Sequence, residues 1–183
     1  MTSRVVHGLN LLLVLALLGG SAAAWPWLPA EIPIHFDASG EPDRWADTTV
    51  LSWFGLPVLA FLLAAGMYLI GVVVPRRPEW LSVPNRKRFL ALTEEARAPV
   101  YRRIRTVLHL GVTFVLVIFG LLQLAVYREA HGDLGSGYVV AVLVVAVAGS
   151  PLLSVFAIVG LQQALDRAGR EGRGEGREGS GST

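Results

Sequence analysis

One imidazole and three carboxylates lie within nine residues of the chain, at His35, Asp37, Glu41 and Asp43. Such groups are good ligands for divalent metals, and they can also form a general acid–base pair. The chain has no cysteine, no HExxH sequence and no motif for an activated nucleophile. The same acids could equally close a turn and keep a loop outside the membrane. The sequence therefore predicts no catalytic residue, no metal and no cofactor.

These groups belong to the segment LPAEIPIHFDASGEPDRW, residues 28–45, which lies between two strongly apolar stretches. Ile32, Ile34 and Phe36 occupy alternate positions, which predicts a short strand with one apolar face. Because Pro33 cannot donate to a ladder, the strand should be an edge strand or stand alone. We expect its apolar face to press on the ends of neighbouring helices.

The strand is followed by a predicted turn and is flanked by tryptophans. Asp37-Ala38-Ser39-Gly40 has Asp first and Gly last, as in a type I turn. Tryptophan prefers the membrane–water interface. We therefore expect an ordered cap on the membrane surface, anchored by four indoles: Trp25, Trp27, Trp45 and Trp53.

Composition and hydropathy indicate a membrane protein. Apolar residues make up 53% of the 183 and charged residues 16%, whereas soluble domains carry about a quarter charged residues. A helix of about 20 apolar residues crosses the hydrocarbon core, and four segments qualify, at about 5–24, 50–74, 106–127 and 138–161. The predicted fold class is an all-α integral membrane protein with four transmembrane helices and a short ordered extracytoplasmic loop between helices 1 and 2.

The charges predict the orientation of these spans. Residues 75–105 contain nine basic and three acidic residues, whereas the loop around residues 28–45 has a single arginine, Arg44. By the positive-inside rule the basic loop is cytoplasmic, which places both termini in the cytoplasm and residues 28–45 outside the plasma membrane. Arg4, the first apolar run and Ala22-Ala23-Ala24 also fit a cleaved signal peptide, and this alternative leaves the outer loop outside.

The chain divides into a four-helix membrane domain, residues 1–163, and a tail, residues 164–183. The tail is rich in Gly, Arg and Glu and has almost no apolar residues, so we expect it to be disordered. Polar residues inside the spans are few and lie toward the cytoplasmic side, where they could hydrogen-bond across helices: His7, Asn10, His109, Gln162 and Gln163.

The basic loop, residues 76–105, has two interpretations. Its arginines can anchor the protein to anionic membrane lipids, each contributing about 1 kcal/mol, or they can dock a cytoplasmic partner. A helix should begin near Thr93-Glu94-Glu95 and continue into the third span. No recognisable nucleic-acid-binding fold accompanies the charges, so no nucleic-acid partner is predicted.

Residues 28–45 resemble the signature of the bacterial membrane-protein family that carries the domain of unknown function 1648. The pattern is close to LP-x-x-IP-x-HF-x-x-x-G-x-PD-x-W, and it is matched by Leu28, Pro29, Ile32, Pro33, His35, Phe36, Gly40, Pro42, Asp43 and Trp45. A second segment, SVPNRKRFLAL at 82–92, is similar to a Pro-Asn-Lys segment of that family. The resemblance covers about residues 8–92. The same domain occurs in SdpI-like proteins, which are linked to immunity against a secreted toxin.

The resemblance and the residues together give a first hypothesis and two alternatives. The first is a non-enzymatic sensor or immunity-type protein that binds a secreted peptide or protein through residues 28–45. The second is a small transporter or transporter accessory subunit, and the third is a metal-dependent membrane enzyme. The residues expected to bind the ligand or partner are Pro33, His35, Phe36, Asp37, Gly40, Pro42 and Asp43.

Overall fold

The computed structural model describes residues 3–81, 86–133 and 135–178. Four helices in these ranges are long and apolar enough to cross a membrane, and a two-stranded antiparallel sheet joins the first to the second. The predicted all-α fold with four transmembrane helices and an ordered loop between the first two is therefore confirmed. In chain order the elements are α1 Ser3–Ala24, β1 Glu31–Phe36, β2 Pro42–Asp47, α2 Val50–Val73, α3 Arg86–Ala91, α4 Glu94–Ala130 and α5 Ser136–Glu178.

Helix α4 is the centre of the bundle, because α1, α2 and α5 all pack against it. Within lipid, helices associate closely where small residues let their backbones approach. Ala60 and Ala64 of α2 supply such a surface and are buried together with Leu17 of α1 and with Val112 and Leu116 of α4. The sheet also packs on α4 and α2 through β1, so α4 positions both the bundle and the hairpin.

Helix α4 begins well before the apolar span predicted at residues 106–127. The Thr93 side chain accepts a hydrogen bond from the backbone N–H of Ala96, and two acids occupy the first turn, which is a favourable helix start. On the same side Val74, Phe89, Val100 and Tyr101 form a small apolar cluster, so the basic loop folds back onto the base of α4. We call this end of the bundle the basic side, and the opposite end the hairpin side.

Helix α5 packs mainly on α4 and leaves much of its apolar surface exposed. It continues through residues 164–178, within the segment predicted to be a disordered tail. No proline follows Pro151, and extending an existing helix adds one hydrogen bond for each residue fixed. The rest of the predicted tail, residues 179–183, and the start of the second family-like segment, residues 82–85, lie outside the described residues.

A glycine fixes how closely α5 approaches α4. A methyl group built on Gly149 would lie 2.6 Å from Cε2 of Phe114, whereas one built on Gly120 meets nothing within 4 Å. We predict that Gly149→Ala lowers the free energy of unfolding by about 1–3 kcal/mol, because the aromatic ring must move. Gly120→Ala is the matched control and should leave stability unchanged or raise it slightly. Thermal unfolding in detergent measures both, and equal melting temperatures would contradict the α4–α5 packing described here.

Candidate functional site

The site predicted at residues 28–45 is a β-hairpin with a bulge in each strand. The register skips Ile34 in β1 and Asp43 in β2. Each bulge adds one residue and rotates the strand, so the simple alternation of faces is lost. Ile32 and Pro33 are therefore both buried, while 52% of Ile34 is exposed. The predicted apolar face formed by Ile32, Ile34 and Phe36 is wrong for this reason.

The predicted turn is present and is closed by Asp37. The Gly40 N–H donates to the Asp37 carbonyl at 3.0 Å, and Gly40 has a φ of 84°, a backbone conformation that glycine adopts without strain. The Asp37 carboxylate accepts bonds from the backbone N–H of Ser39 and Glu41 and from the Ser39 hydroxyl. These bonds, led by the one from the Ser39 hydroxyl, hold the pKa of Asp37 below its usual value.

The bulges bring His35 and Asp43 into contact. His35 Nδ1 lies 2.5 Å from Asp43 Oδ1, and about half of each side chain is exposed. A histidine–carboxylate pair of this kind presents a donor and an acceptor at fixed positions. The contact joins residues eight positions apart that face each other only because the register shifts.

The four groups that suggested metal or acid–base chemistry are not brought together as a set. Asp37 is engaged within its own turn, and His35 pairs with Asp43 alone. Across residues 3–81, 86–133 and 135–178, no three His, Cys, Asp or Glu side chains are arranged to hold a metal ion. A divalent cation bound by protein side chains needs several such ligands, so the described arrangement gives the metal-site hypothesis no support.

Of the seven predicted binding residues, five are buried or partly buried and form the framework of the hairpin, and two are exposed on its surface. Pro33 and Gly40 are buried, and Phe36, Asp37 and Pro42 are partly buried in the hairpin. His35 and Asp43 are exposed. Two further apolar side chains are exposed beside them, Ile34 in its bulge and Trp45, which is 44% exposed and is the register partner of Pro33. Ile34 was expected to be buried, and no alternation pattern reveals a bulge.

The base of the hairpin is tied to the ends of the helices. The Thr48 N–H donates to the Ala30 carbonyl at 2.8 Å, and its hydroxyl donates to the Pro29 carbonyl at 2.7 Å. The next residue, Thr49, caps α2 in a reciprocal arrangement with Ser52. The hairpin therefore enters α2 directly, with no flexible connection between them.

Not every tryptophan lies at the surface as predicted. Trp53 is 1% exposed, and its indole N–H donates to the Ser21 carbonyl at 2.9 Å. It lies in the first turn of α2, where the indole bonds to α1 and its ring centroid lies 6.4 Å from that of Tyr127 in α4. Trp25 is partly buried against Phe54, while Trp27 and Trp45 are exposed.

His131, which the sequence did not point to, connects α4 to the start of the hairpin segment. Its Nδ1 lies 2.7 Å from the Tyr127 carbonyl and its Nε2 lies 2.9 Å from the Trp27 carbonyl. Because a carbonyl oxygen can only accept, both bonds form together only when the ring is protonated. These two bonds raise the pKa of His131 above its ordinary value, the bond to Tyr127 contributing most. The available signal was a histidine at a helix C-terminus, where the helix dipole favours a cation.

The polar residues predicted inside the spans form a second cluster, on the basic side. Asn10, 2% exposed, donates to the Tyr68 hydroxyl and to the His109 carbonyl, each at 3.1 Å. Its amide oxygen accepts from the Thr113 hydroxyl at 2.6 Å. His7 bonds to Tyr68, and the rings of His7 and His109 are 4.1 Å apart. The cluster joins α1, α2 and α4. Gln162 and Gln163, by contrast, are exposed.

The contact made by His131 predicts a pH dependence. Because the pKa of His131 is raised in the folded protein, protonation of the ring stabilises the fold. This stabilisation is fully present below the ordinary pKa of 6.5 and is lost as the pH rises through the folded-state pKa. The melting temperature in detergent should therefore fall as the pH rises from 6.5 into the alkaline range. His131→Gln, which cannot titrate, should remove this part of the pH dependence. If the melting temperatures of the variant and the parent fall in parallel as the pH rises, His131 does not hold the hairpin in this way.

Comparison with known proteins agrees with the position of the hairpin. The family model described as "Domain of unknown function (DUF1648)" matches residues 11–61. No curated protein and no solved structure matches the chain at a significant level. The matched region covers most of α1, the whole hairpin and the first half of α2. It lies inside the predicted range 8–92 and does not include the second family-like segment. The chain is therefore a multi-pass membrane protein that carries the domain of unknown function 1648 at residues 11–61.

Proposed function

We propose that this protein is a non-enzymatic recognition protein of the sensor or immunity type, which binds a secreted peptide or protein through its hairpin. The observation that carries the proposal is the exposed pair His35–Asp43 on a hairpin held at both ends. Ile34 and Trp45 add exposed apolar area in the same two strands. Aromatic and aliphatic contacts surrounding a few oriented polar groups are typical of protein-binding surfaces.

The rigidity of the hairpin supports binding. Its turn is closed by Asp37, its base by Thr48, and its entry to α2 by Thr49 and Ser52. A surface that is already ordered loses less conformational entropy when a partner binds. The exposed side chains are therefore displayed at nearly fixed positions, as a recognition site requires.

We further propose that the hairpin faces the outside of the plasma membrane and that both chain termini are cytoplasmic. The support is the unequal distribution of charge, because the basic loop with its nine basic residues lies at the opposite end of the bundle. In this orientation a secreted ligand reaches the hairpin directly. The basic loop faces anionic lipid and is available to a cytoplasmic partner.

The recognition proposal predicts selective crosslinking. A photocrosslinking residue at Ile34 should capture a discrete secreted peptide or protein in native membranes, since Ile34 lies beside His35. The double variant His35→Ala, Asp43→Ala should lose the capture by tenfold or more, because a charge-assisted hydrogen bond contributes about 1.5–3 kcal/mol. Mass spectrometry identifies and quantifies the adduct.

A matched control is available in the same hairpin. Glu41→Ala removes one exposed carboxylate near the turn without touching the His35–Asp43 pair, so it should leave the capture unchanged. Insertion and thermal stability are compared for all variants. Equal capture by the parent and the double variant would remove His35 and Asp43 from the recognition site.

A second candidate function, transport of protons, is favoured by the buried cluster on the basic side. Ionisable side chains inside a membrane commonly mark proton pathways, and the rings of His7 and His109 meet edge-on, with their centroids 4.1 Å apart, beside a hydrogen-bonded network. The same network also joins three helices, which is a structural role it would fill without transport.

The transport candidate predicts a proton flux that depends on the two histidines. Proteoliposomes with an internal pH dye should dissipate an imposed pH gradient, and His7→Phe, His109→Phe should reduce the rate at least tenfold by removing both titratable rings. His131→Gln, at the far end of α4, is the control and should retain the flux. A parent protein no faster than empty liposomes would exclude this candidate.

A further inference from the structure

We propose that the α4–α5 seam on the basic side holds a binding site for the phosphate headgroup of an anionic phospholipid. A cavity of about 320 Å³ lies between the two helices there. Three arginines and two uncharged polar residues contribute to its lining: Arg102, Arg103 and Arg167, with Thr106 and Gln163. These residues come from parts of the chain separated by some sixty positions, so the fold assembles the site.

Among the side chains that the structure describes, those lining the cavity include three arginines and no acid. In the described residues the ion pairs are His35–Asp43 and Arg77–Glu79, and neither involves the arginines of the cavity. Three guanidinium groups close together repel one another unless an anion lies between them. Guanidinium groups are also well suited to phosphate, which they bind through two parallel hydrogen bonds.

Arg103 is the most strongly positioned of the three arginines. Its guanidinium lies 4.2 Å from the centre of the Phe156 ring, and one Nη donates to the Phe156 carbonyl at 3.3 Å. Its Nε is buried and has no hydrogen-bond partner among the described residues. A buried donor without an acceptor is costly, so the contacts within the described residues do not fully satisfy Arg103.

Glycine makes room for that guanidinium. A side-chain carbon built on Gly160 would overlap the guanidinium of Arg103. The absence of a side chain at this position therefore allows Arg103 to enter the seam. A substitution at Gly160 moves the guanidinium without changing the charge of the protein, and this separates a built site from general attraction to a negative membrane.

The surface next to the cavity explains why the phosphate should belong to a lipid. Counting back along α5 from Gln163, the apolar residues Val159, Phe156 and Leu152 follow at spacings of four, three and four residues. Residues at these spacings lie on the same face of a helix, so all three share the face of Gln163. All three are exposed apolar side chains. A basic cavity that continues into an apolar stripe matches a molecule with an anionic head and a hydrocarbon chain. This site is independent of the proposed recognition function of the hairpin.

The test measures lipid binding to the full chain in nanodiscs of phosphatidylcholine with a minor fraction of spin-labelled phosphatidylglycerol. The parent should immobilise part of the labelled lipid. Arg102→Gln, Arg167→Gln should weaken this binding roughly thirtyfold, because each arginine near an anionic surface contributes about a factor of five. Both side chains are exposed, so folding is retained.

Two comparisons decide the outcome. Arg76→Gln, Lys87→Gln removes the same charge from exposed positions outside the cavity and should weaken binding much less. Gly160→Ala should weaken it with no change of charge, whereas Gly120→Ala should not. Equal losses in the two double variants would overturn the proposal in favour of a diffuse electrostatic effect. Displacement of the labelled lipid by millimolar inorganic phosphate would overturn the assignment to a lipid and assign the site to free phosphate.

Discussion

The last carbonyl groups of a helix have no partner within the helix, and hydrogen bonds to carbonyls at the end of α1 and beyond it shape the hairpin side of the molecule. Four carbonyls at the end of α1 and beyond it are satisfied from elsewhere in the chain. Trp53 donates to Ser21, and Thr48 donates to both Pro29 and Ala30. His131 donates to Trp27 across 104 residues of sequence. The chain between α1 and α2 is thereby fixed to both α2 and α4.

This arrangement separates the roles of the residues in the hairpin. Residues that are buried or hydrogen-bonded within the hairpin, such as Pro33, Asp37 and Gly40, define its shape. They face inward or along the strands. Those in or beside the bulges, such as Ile34 and Asp43, project from it. The segment that resembles the family signature contains residues of both kinds, for example Pro33 and Asp43. It follows that a match to the signature does not by itself identify which residues contact a ligand.

The sequence predicts features that depend on local composition. The four spans follow from hydropathy, the turn follows from Asp37 and Gly40, and the start of α4 follows from its capping residue. Features that depend on pairing between distant segments are not accessible in this way. Strand β2 is polar and bulged, so it has no alternation to detect, and the partners of Trp53 lie on another helix. The continuation of α5 through a glycine-rich segment depends on the extension of an existing helix, which local composition does not measure.

Because α4 contributes residues to several sites, the position of a substitution decides how its effect can be interpreted. One end of α4 leads into His131, its middle contributes His109 and Thr113 to the buried cluster, and its other end supplies Arg102 and Arg103 to the basic cavity. A substitution in the core of α4 therefore changes several sites at once, and its effect cannot be assigned to one of them. Exposed residues that touch a single site avoid this ambiguity. His35 and Asp43 on the hairpin side and Arg167 on the basic side have that property, so changes there separate the proposed recognition function from the proposed lipid binding.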